Sequence, residues 1–187
     1  AIAAQNLADF RLTTYYGEAS MGGKETKLSN AFAHGLPVVL NFWAPLCPPC
    51  RAEMTAFGRV SNDYAGRVFF IGVDLSSYWA GYGGPDEARE LLRQTGIHYP
   101  VGFAVDNPTR DYSLKAIPTT IFFTPDGKIA GTNVGEVSEE ILRHNVEVLL
   151  GKSAAAPTTG GAPPGDRTPP PAPRQLAALP PRPEGRA

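Results

Sequence analysis

The apolar run Leu36-Pro37-Val38-Val39-Leu40-Asn41-Phe42-Trp43 ends four residues before Cys47-Pro48-Pro49-Cys50, which holds the only two cysteines of the chain. A run rich in Val, Leu and aromatics reads as a buried strand, and the segment Arg51-Ala52-Glu53-Met54-Thr55-Ala56-Phe57 reads as a helix. The cysteines therefore lie where a strand hands over to a helix. There the first sulfur meets the unpaired amides and the positive dipole end of the helix, both of which favour a thiolate.

A lone CxxC admits three readings. Half of a zinc site needs a second pair of ligands at suitable spacing, and His34, His98 and His144 are scattered along the chain, so no metal site is expected. A purely structural disulfide would close too small a loop to remove much chain entropy. A redox pair is the reading that uses the strand-to-helix position.

Length and composition set the frame. At 187 residues with 42% hydrophobic content, the chain can build one domain with a substantial core. A net charge of −1 argues against nucleic acid as a partner. Residues 152–187 hold 10 of the 19 prolines and few large apolar side chains. They are expected to be a disordered Pro/Ala-rich tail, with polyproline II character around Pro169-Pro170-Pro171, following a domain over residues 1–151. No stretch reaches the length of a membrane span, and Ala1-Ile2-Ala3-Ala4 does not read as a leader. Either the protein is cytosolic or an export signal has been removed.

The order of elements follows from periodicity and turn residues. Phe10, Leu12 and Thr14 alternate with polar residues, and with Thr26-Lys27-Leu28 they predict an N-terminal hairpin. The strand ending at Trp43, a helix to about Ala65 and the strand Val68–Asp74 predict a right-handed βαβ unit. A loop with Tyr78, Trp79 and Tyr82 leads to a helix that opens near Pro85 and stops at Gly96. Val101–Val105 reads as a short strand and Thr109–Lys115 as a short helix. Thr119–Phe123 and Lys128–Ala130 flank Pro125-Asp126-Gly127 as an antiparallel hairpin. A last helix opens with Ser138 as N-cap and runs to Gly151.

This order, with Phe42-Trp43-Ala44-Pro45-Leu46-Cys47-Pro48-Pro49-Cys50-Arg51-Ala52-Glu53-Met54 and Ile117-Pro118-Thr119-Thr120, resembles the thioredoxin superfamily over roughly residues 7–150. The nearest pattern is the TlpA/ResA-like branch of extracytoplasmic thiol-disulfide oxidoreductases, which includes proteins of cytochrome c maturation. The resemblance implies an α/β thioredoxin-like fold, with a central mixed sheet flanked by helices, an N-terminal hairpin and a central insertion. It implies Cys47 as attacking thiol and Cys50 as resolving thiol, with no cofactor beyond that redox-active disulfide. Pro118 matches the family's cis-proline, and Trp43, Pro48, Pro49, Ile117 and Pro118 become the substrate-binding set. The implied partners are a disulfide-bonded protein substrate and a dithiol electron donor, membrane-bound if the compartment is outside the cytoplasm.

Several positions depart from the pattern. Leu46 replaces a tryptophan, Thr55 a helix-kinking proline, Asn41 the buried aspartate of thioredoxin itself, and Ser77 falls near a glutamate of some relatives. Water, Glu53 and Asp74 remain as acceptors for the Cys50 proton, with nothing in the sequence to choose among them.

Pro48 and Pro49 have no N–H to offer the Cys47 sulfur. The thiolate is thus less stabilised, and a reductase is favoured over an oxidase. A copper-handling chaperone using the same thiolates as soft ligands is the alternative. The peroxidase and inert binding-domain readings fit the pair less well.

Overall fold

The computed structural model describes residues 7–154. Seven strands and three α-helices follow in the order β1 (Arg11–Tyr16), β2 (Glu25–Lys27), β3 (Val38–Trp43), α1 (Pro48–Asp63), β4 (Phe69–Asp74), α2 (Pro85–Thr95), β5 (Val101–Ala104), β6 (Thr119–Phe123), β7 (Ile129–Val134) and α3 (Glu139–Ala154). They form one mixed sheet of order β2-β1-β5-β4-β3-β6-β7. β3, β4 and β5 run parallel, as the two βαβ crossovers require, and every other pairing is antiparallel. This is the mixed sheet with an N-terminal hairpin that the resemblance implies.

β3, β4 and β6 are buried at every position, which is why they read as unbroken apolar runs rather than alternating ones. Their side chains still alternate between two cores. Val39, Trp43, Phe70 and Phe122 share one with Met54, Phe57, Leu91, Leu142 and Val146 from the three α-helices. Val38, Leu40, Phe42, Ile71 and Phe123 face the other, with Phe10, Leu12, Met21 and Leu28. Among the described residues this second face has no α-helix over it. Short 3-10 helices at Glu18–Met21 and Leu28–His34, and the side chains of Tyr112 and Leu114, cover it instead.

The turn chemistry holds where the sequence spells it out. Gly96 takes the left-handed conformation at φ 63° and ends α2. Gly127 does the same at φ 79° in the β6–β7 hairpin, where its N–H donates to the Thr124 carbonyl at 2.9 Å. The Ser138 hydroxyl accepts from the Ile141 amide at 3.3 Å, capping α3.

Two expectations are corrected. Thr109–Lys115 is not a helix. The Tyr112 amide makes a single helical bond to the Pro108 carbonyl, Ser113 then enters the left-handed region at φ 51°, and the Leu114 amide folds back on the Thr109 carbonyl. That closure ends a helix after one turn. The last helix does not stop at Gly151 but continues through Lys152 and Ser153 to Ala154. Glycine inside a helix costs only about 1 kcal/mol relative to alanine, too little to break a helix already packed through Leu142, Val146 and Leu149. The tail expected beyond that point, with its Pro169-Pro170-Pro171, lies outside the described residues.

β1 passes very close to β5. A Cβ on Gly102 would sit 2.5 Å from the Thr13 carbonyl oxygen and 3.0 Å from Thr14 Cα, beside the register shift between Thr14 and Tyr16. Backbone cannot swing away as a flexible side chain can. Gly102→Ala should therefore destabilise the domain by about 1–3 kcal/mol, the usual cost of overpacking. The urea midpoint of the oxidised protein measures this, and an unchanged midpoint would contradict the close approach.

Candidate active site

Strand β3 delivers the chain to the cysteines, and α1 begins on them. Cys47 is the N-cap of α1, with Pro48 and Pro49 in its first turn. Proline suits the first helical position because its missing N–H would have no helical partner there. The first amide available to the Cys47 sulfur is then that of Cys50, which donates to Sγ at 3.4 Å. The Arg51 amide closes the first helical bond on the Cys47 carbonyl at 3.1 Å, and the Arg51 guanidinium donates to the Pro45 carbonyl at 3.2 Å.

Cys47 and Cys50 are joined by a disulfide with Cα atoms 5.3 Å apart. Cys47 is 1% exposed and Cys50 is fully buried, whereas Pro48 is exposed and Pro49 half-buried. From the other side of the sheet's end, the Ile117–Pro118 peptide is cis, and the Ile117 carbonyl oxygen lies 3.9 Å from Cys47 Sγ. Ile117 is half-buried and Pro118 buried. The structure thus brings Cys47, Cys50, Pro48, Pro49, Ile117 and Pro118 together.

Trp43 is placed differently from the sequence expectation. It is 1% exposed and shares the α-helical core with both cysteines. Its Nε1 lies 3.3 Å from where a Cβ on Gly72 would be. Trp43 supports the disulfide from inside the domain and presents no surface to a substrate. Its backbone is also committed, its carbonyl accepting from the Leu75 amide at 2.9 Å.

One turn beyond Cys50 on α1, Glu53 is 2% exposed. Asn41 Nδ2 donates to Glu53 Oε1 at 2.8 Å and to Thr120 Oγ1 at 3.2 Å, and the Val137 amide donates to Glu53 Oε2 at 2.9 Å. Burial raises the pKa of Glu53 from the ordinary 4.5 to about 7, against the pull of these two donors. A second buried carboxyl, Asp74, ends β4 opposite Trp43. It accepts from the Tyr15 hydroxyl and the Ser76 amide, each at 2.8 Å. Burial raises its pKa as well, again opposed by its hydrogen bonds. Sequence reading names Glu53 only as one of three proton acceptors. Its spacing of three from Cys50 puts both on one face of α1, and the hydrogen bonds from Asn41 and Val137 that hold it there are what set it apart from the other two.

The loop after β4 divides its aromatics. The Tyr78 hydroxyl donates to the Val105 carbonyl at 2.6 Å and its ring packs against the second core, while Trp79 is half-buried and Tyr82 exposed. Ser77 is exposed. No helix among the described residues is long and apolar enough to cross a membrane.

Comparison with known proteins adds a family, relatives and solved structures. The AhpC/TSA family matches residues 3–132. The thioredoxin-like protein YneN of Bacillus subtilis is 27% identical over 144 residues, covering 77% of this chain and 78% of that protein. The thiol-disulfide oxidoreductase ResA of the same organism is 27% identical over 128 residues, covering 68% of each. Among solved structures, a putative thiol:disulfide interchange protein DsbE from Chlorobium tepidum superposes with a TM-score of 0.61 at 26% identity, covering 76% of this chain and 93% of its own. A secreted Mycobacterium tuberculosis disulfide oxidoreductase homologous to E. coli DsbE shares the fold, with a TM-score of 0.56 at 22% identity over 75% of this chain and 96% of its own. With its Cys-X-X-Cys pair at disulfide distance on a thioredoxin-like fold, the chain belongs to the AhpC/TSA family as a thiol-disulfide oxidoreductase of the ResA and DsbE type.

Proposed function

We propose that the protein is a reductase of protein disulfides acting outside the cytoplasm, in a role such as cytochrome c maturation. The observation that carries this reading is the poverty of donors around Cys47. Of the first three residues of α1 only Cys50 has an amide hydrogen to offer the sulfur. A thiolate so weakly stabilised makes the dithiol the better electron donor. The secreted Mycobacterium tuberculosis protein of the same fold supports the compartment.

The Cys47 thiolate attacks one sulfur of a substrate disulfide, and the other substrate sulfur leaves as a thiolate and takes up a proton. The substrate strand lies along Pro48, Pro49 and the Ile117–Pro118 backbone. Cys50 then gives its proton to the Glu53 carboxylate and attacks Cys47 Sγ, forming the Cys47–Cys50 bond and expelling the second substrate thiolate. Two electrons pass from the dithiol to the substrate. Glu53 suits this step because its pKa of about 7 leaves it able to accept a proton near neutrality. A separate dithiol donor, membrane-bound in such a compartment, resets the protein, and no organic or metal cofactor is used. Among the described residues no three His, Cys, Asp or Glu side chains are grouped to hold a metal ion, so a copper-carrying role would rest on the two sulfurs alone.

Insulin reduction with trapping tests the chemistry. Cys47→Ala should abolish turnover, whereas Cys50→Ala should accumulate mixed disulfides resolvable by dithiothreitol. Multiple turnovers by the Cys47 variant would sink the assignment.

The direction is tested in glutathione buffers. Pro49→His restores an N–H and, when protonated, adds a positive charge beside Cys47. Both favour the thiolate and should move the midpoint to a more oxidising potential, by about 30 mV for each 1.4 kcal/mol gained. A midpoint that stays put or becomes more reducing would remove the proline argument.

Glu53 is checked through stability. Between pH 4.5 and 7 the native carboxyl keeps a proton that the unfolded chain has lost, so stability falls as pH rises through this window and levels above it. The loss attributable to Glu53 should be about 3 kcal/mol, since each tenfold difference in proton affinity between the folded and unfolded chain is worth about 1.4 kcal/mol. Asp74 adds a slope of the same sign. Urea unfolding of the oxidised protein at pH 5 and pH 8 should show this decline, and Glu53→Gln should remove most of it. A wild-type protein equally stable at both values would show Glu53 to be ordinary.

A further inference from the structure

The redox site carries an apolar shoulder that the exchange chemistry itself does not require. Leu46, immediately before Cys47, is 47% exposed, and Tyr82 in the loop after β4 is 38% exposed. The two segments are fastened together. The Leu46 amide donates to the Tyr82 carbonyl at 3.0 Å. Gly83 comes so close that a Cβ there would stand 2.9 Å from both Pro45 Cγ and Leu46 Cγ, and its φ of +90° lies in the left-handed region that side chains disfavour. Arg51 holds the same shoulder from the helix side through the Pro45 carbonyl. Two large apolar side chains, ordinarily drawn inward, are thus held at the surface on the doorstep of an almost buried sulfur.

The chemistry of what they would take is narrowed by charge. The three segments that frame the cysteines, residues 41–50, 75–84 and 116–124, contain no Asp, Glu, Lys, Arg or His. Arg51, the cation that borders this frame after Cys50, is turned onto the Pro45 carbonyl, so within the frame itself an apolar side chain meets apolar surface, while desolvating a charged one there would cost free energy. We propose that Leu46 and Tyr82, clasped through Gly83, are the specificity surface of the redox site and select substrates with a bulky apolar side chain next to the cysteine under attack. This rests on the reading of Cys47 as the thiol that attacks a substrate disulfide. The occupant is the substrate strand itself, since Leu46 directly precedes the attacking Cys47 and Tyr82 is tied to it by a backbone hydrogen bond, and Leu46 and Tyr82 act by binding and not in the exchange.

The test uses the reduced full-length chain and short peptides, each with one cysteine held as a mixed disulfide with 2-nitro-5-thiobenzoate. The peptides differ only in whether the cysteine is flanked by Leu, Ser or Asp. Attack on the peptide sulfur releases the coloured thiol, and kcat/KM is read for each peptide. Wild-type protein should prefer the Leu peptide over the Asp peptide by roughly tenfold or more, the scale of one well-buried apolar group. Tyr82→Ser and Leu46→Ser should each collapse that ratio toward one, Gly83→Ala should do the same by prising the clasp apart, and Tyr82→Phe should keep it. A ratio is internal to each variant, so partial loss of active protein does not alter it. A wild-type ratio near one, or serine variants that keep the wild-type ratio, would overturn the specificity surface while leaving the reductase intact. Failure of the wild-type protein to release the coloured thiol from any peptide would instead overturn the redox reading and this proposal with it.

Discussion

The pairing of β3 with β4 on one side and β6 on the other is the constraint on which the site depends. β3 runs parallel to β4, so both deliver their C-terminal ends to the same edge, Trp43 beside Asp74. β6 runs antiparallel, and the pairing of Phe42 with Thr119 puts Pro118 at that same edge. Residues 71 apart in the chain, Cys47 and Pro118, are brought together by ladder register alone. A slip of one residue in β3 would turn Asn41 and Trp43 onto the opposite face, separating the Asn41 amide from Glu53 and the indole from the cysteines.

Register also explains why a polar residue stands in the middle of a fully buried strand. Val39, Asn41 and Trp43 point toward α1, and the helix answers with Cys50, Glu53, Met54 and Phe57 from its buried face. An uncompensated carboxyl in that interface would be severely penalised. Asn41 and the Val137 amide satisfy its two oxygens, so the acid is tolerated and its pKa comes to rest near neutrality instead of far above it. Asn41, Thr120 and Val137 are therefore positioning residues for Glu53, drawn from β3, β6 and the approach to α3.

What could be read in the sequence was whatever a local rule determines. The apolar run of β3, the proline-opened helix behind Cys47, Gly96 and the Pro125-Asp126-Gly127 turn each declare themselves within a few residues. The one-turn segment at Thr109–Ser113 does not, because the helical pattern there is cut short by a backbone reversal at Ser113 that no glycine announces. Trp43 is a similar case. Its sequence position beside the cysteines suggests a shield facing a substrate, yet the alternation of β3 sends it inward. The clasp between Leu46 and Tyr82 was also invisible, since it rests on a backbone hydrogen bond between residues 36 apart, which side-chain identity does not encode. Glu53 was nameable but not selectable until β3 and the chain before α3 were in place to hold it.

The interior around the disulfide has a one-sided electrostatic character that bears on the direction of electron flow. Glu53 and Asp74 are its buried carboxyls, and no Lys, Arg or His is buried among the described residues. A Cys47 thiolate thus has the Cys50 amide and the N-terminal end of α1 in its favour, and no buried cation. Any negative charge remaining on Glu53 or Asp74 works against it, because low-dielectric surroundings strengthen repulsion between like charges. Burial shifts both carboxyls toward their protonated forms and so lessens that repulsion. Proton and electron movements are then coupled by the same burial that built the core. Oxidation of the dithiol removes the repelled thiolate altogether, which is the physical sense of the donor-poor site on which the proposed reductase direction rests.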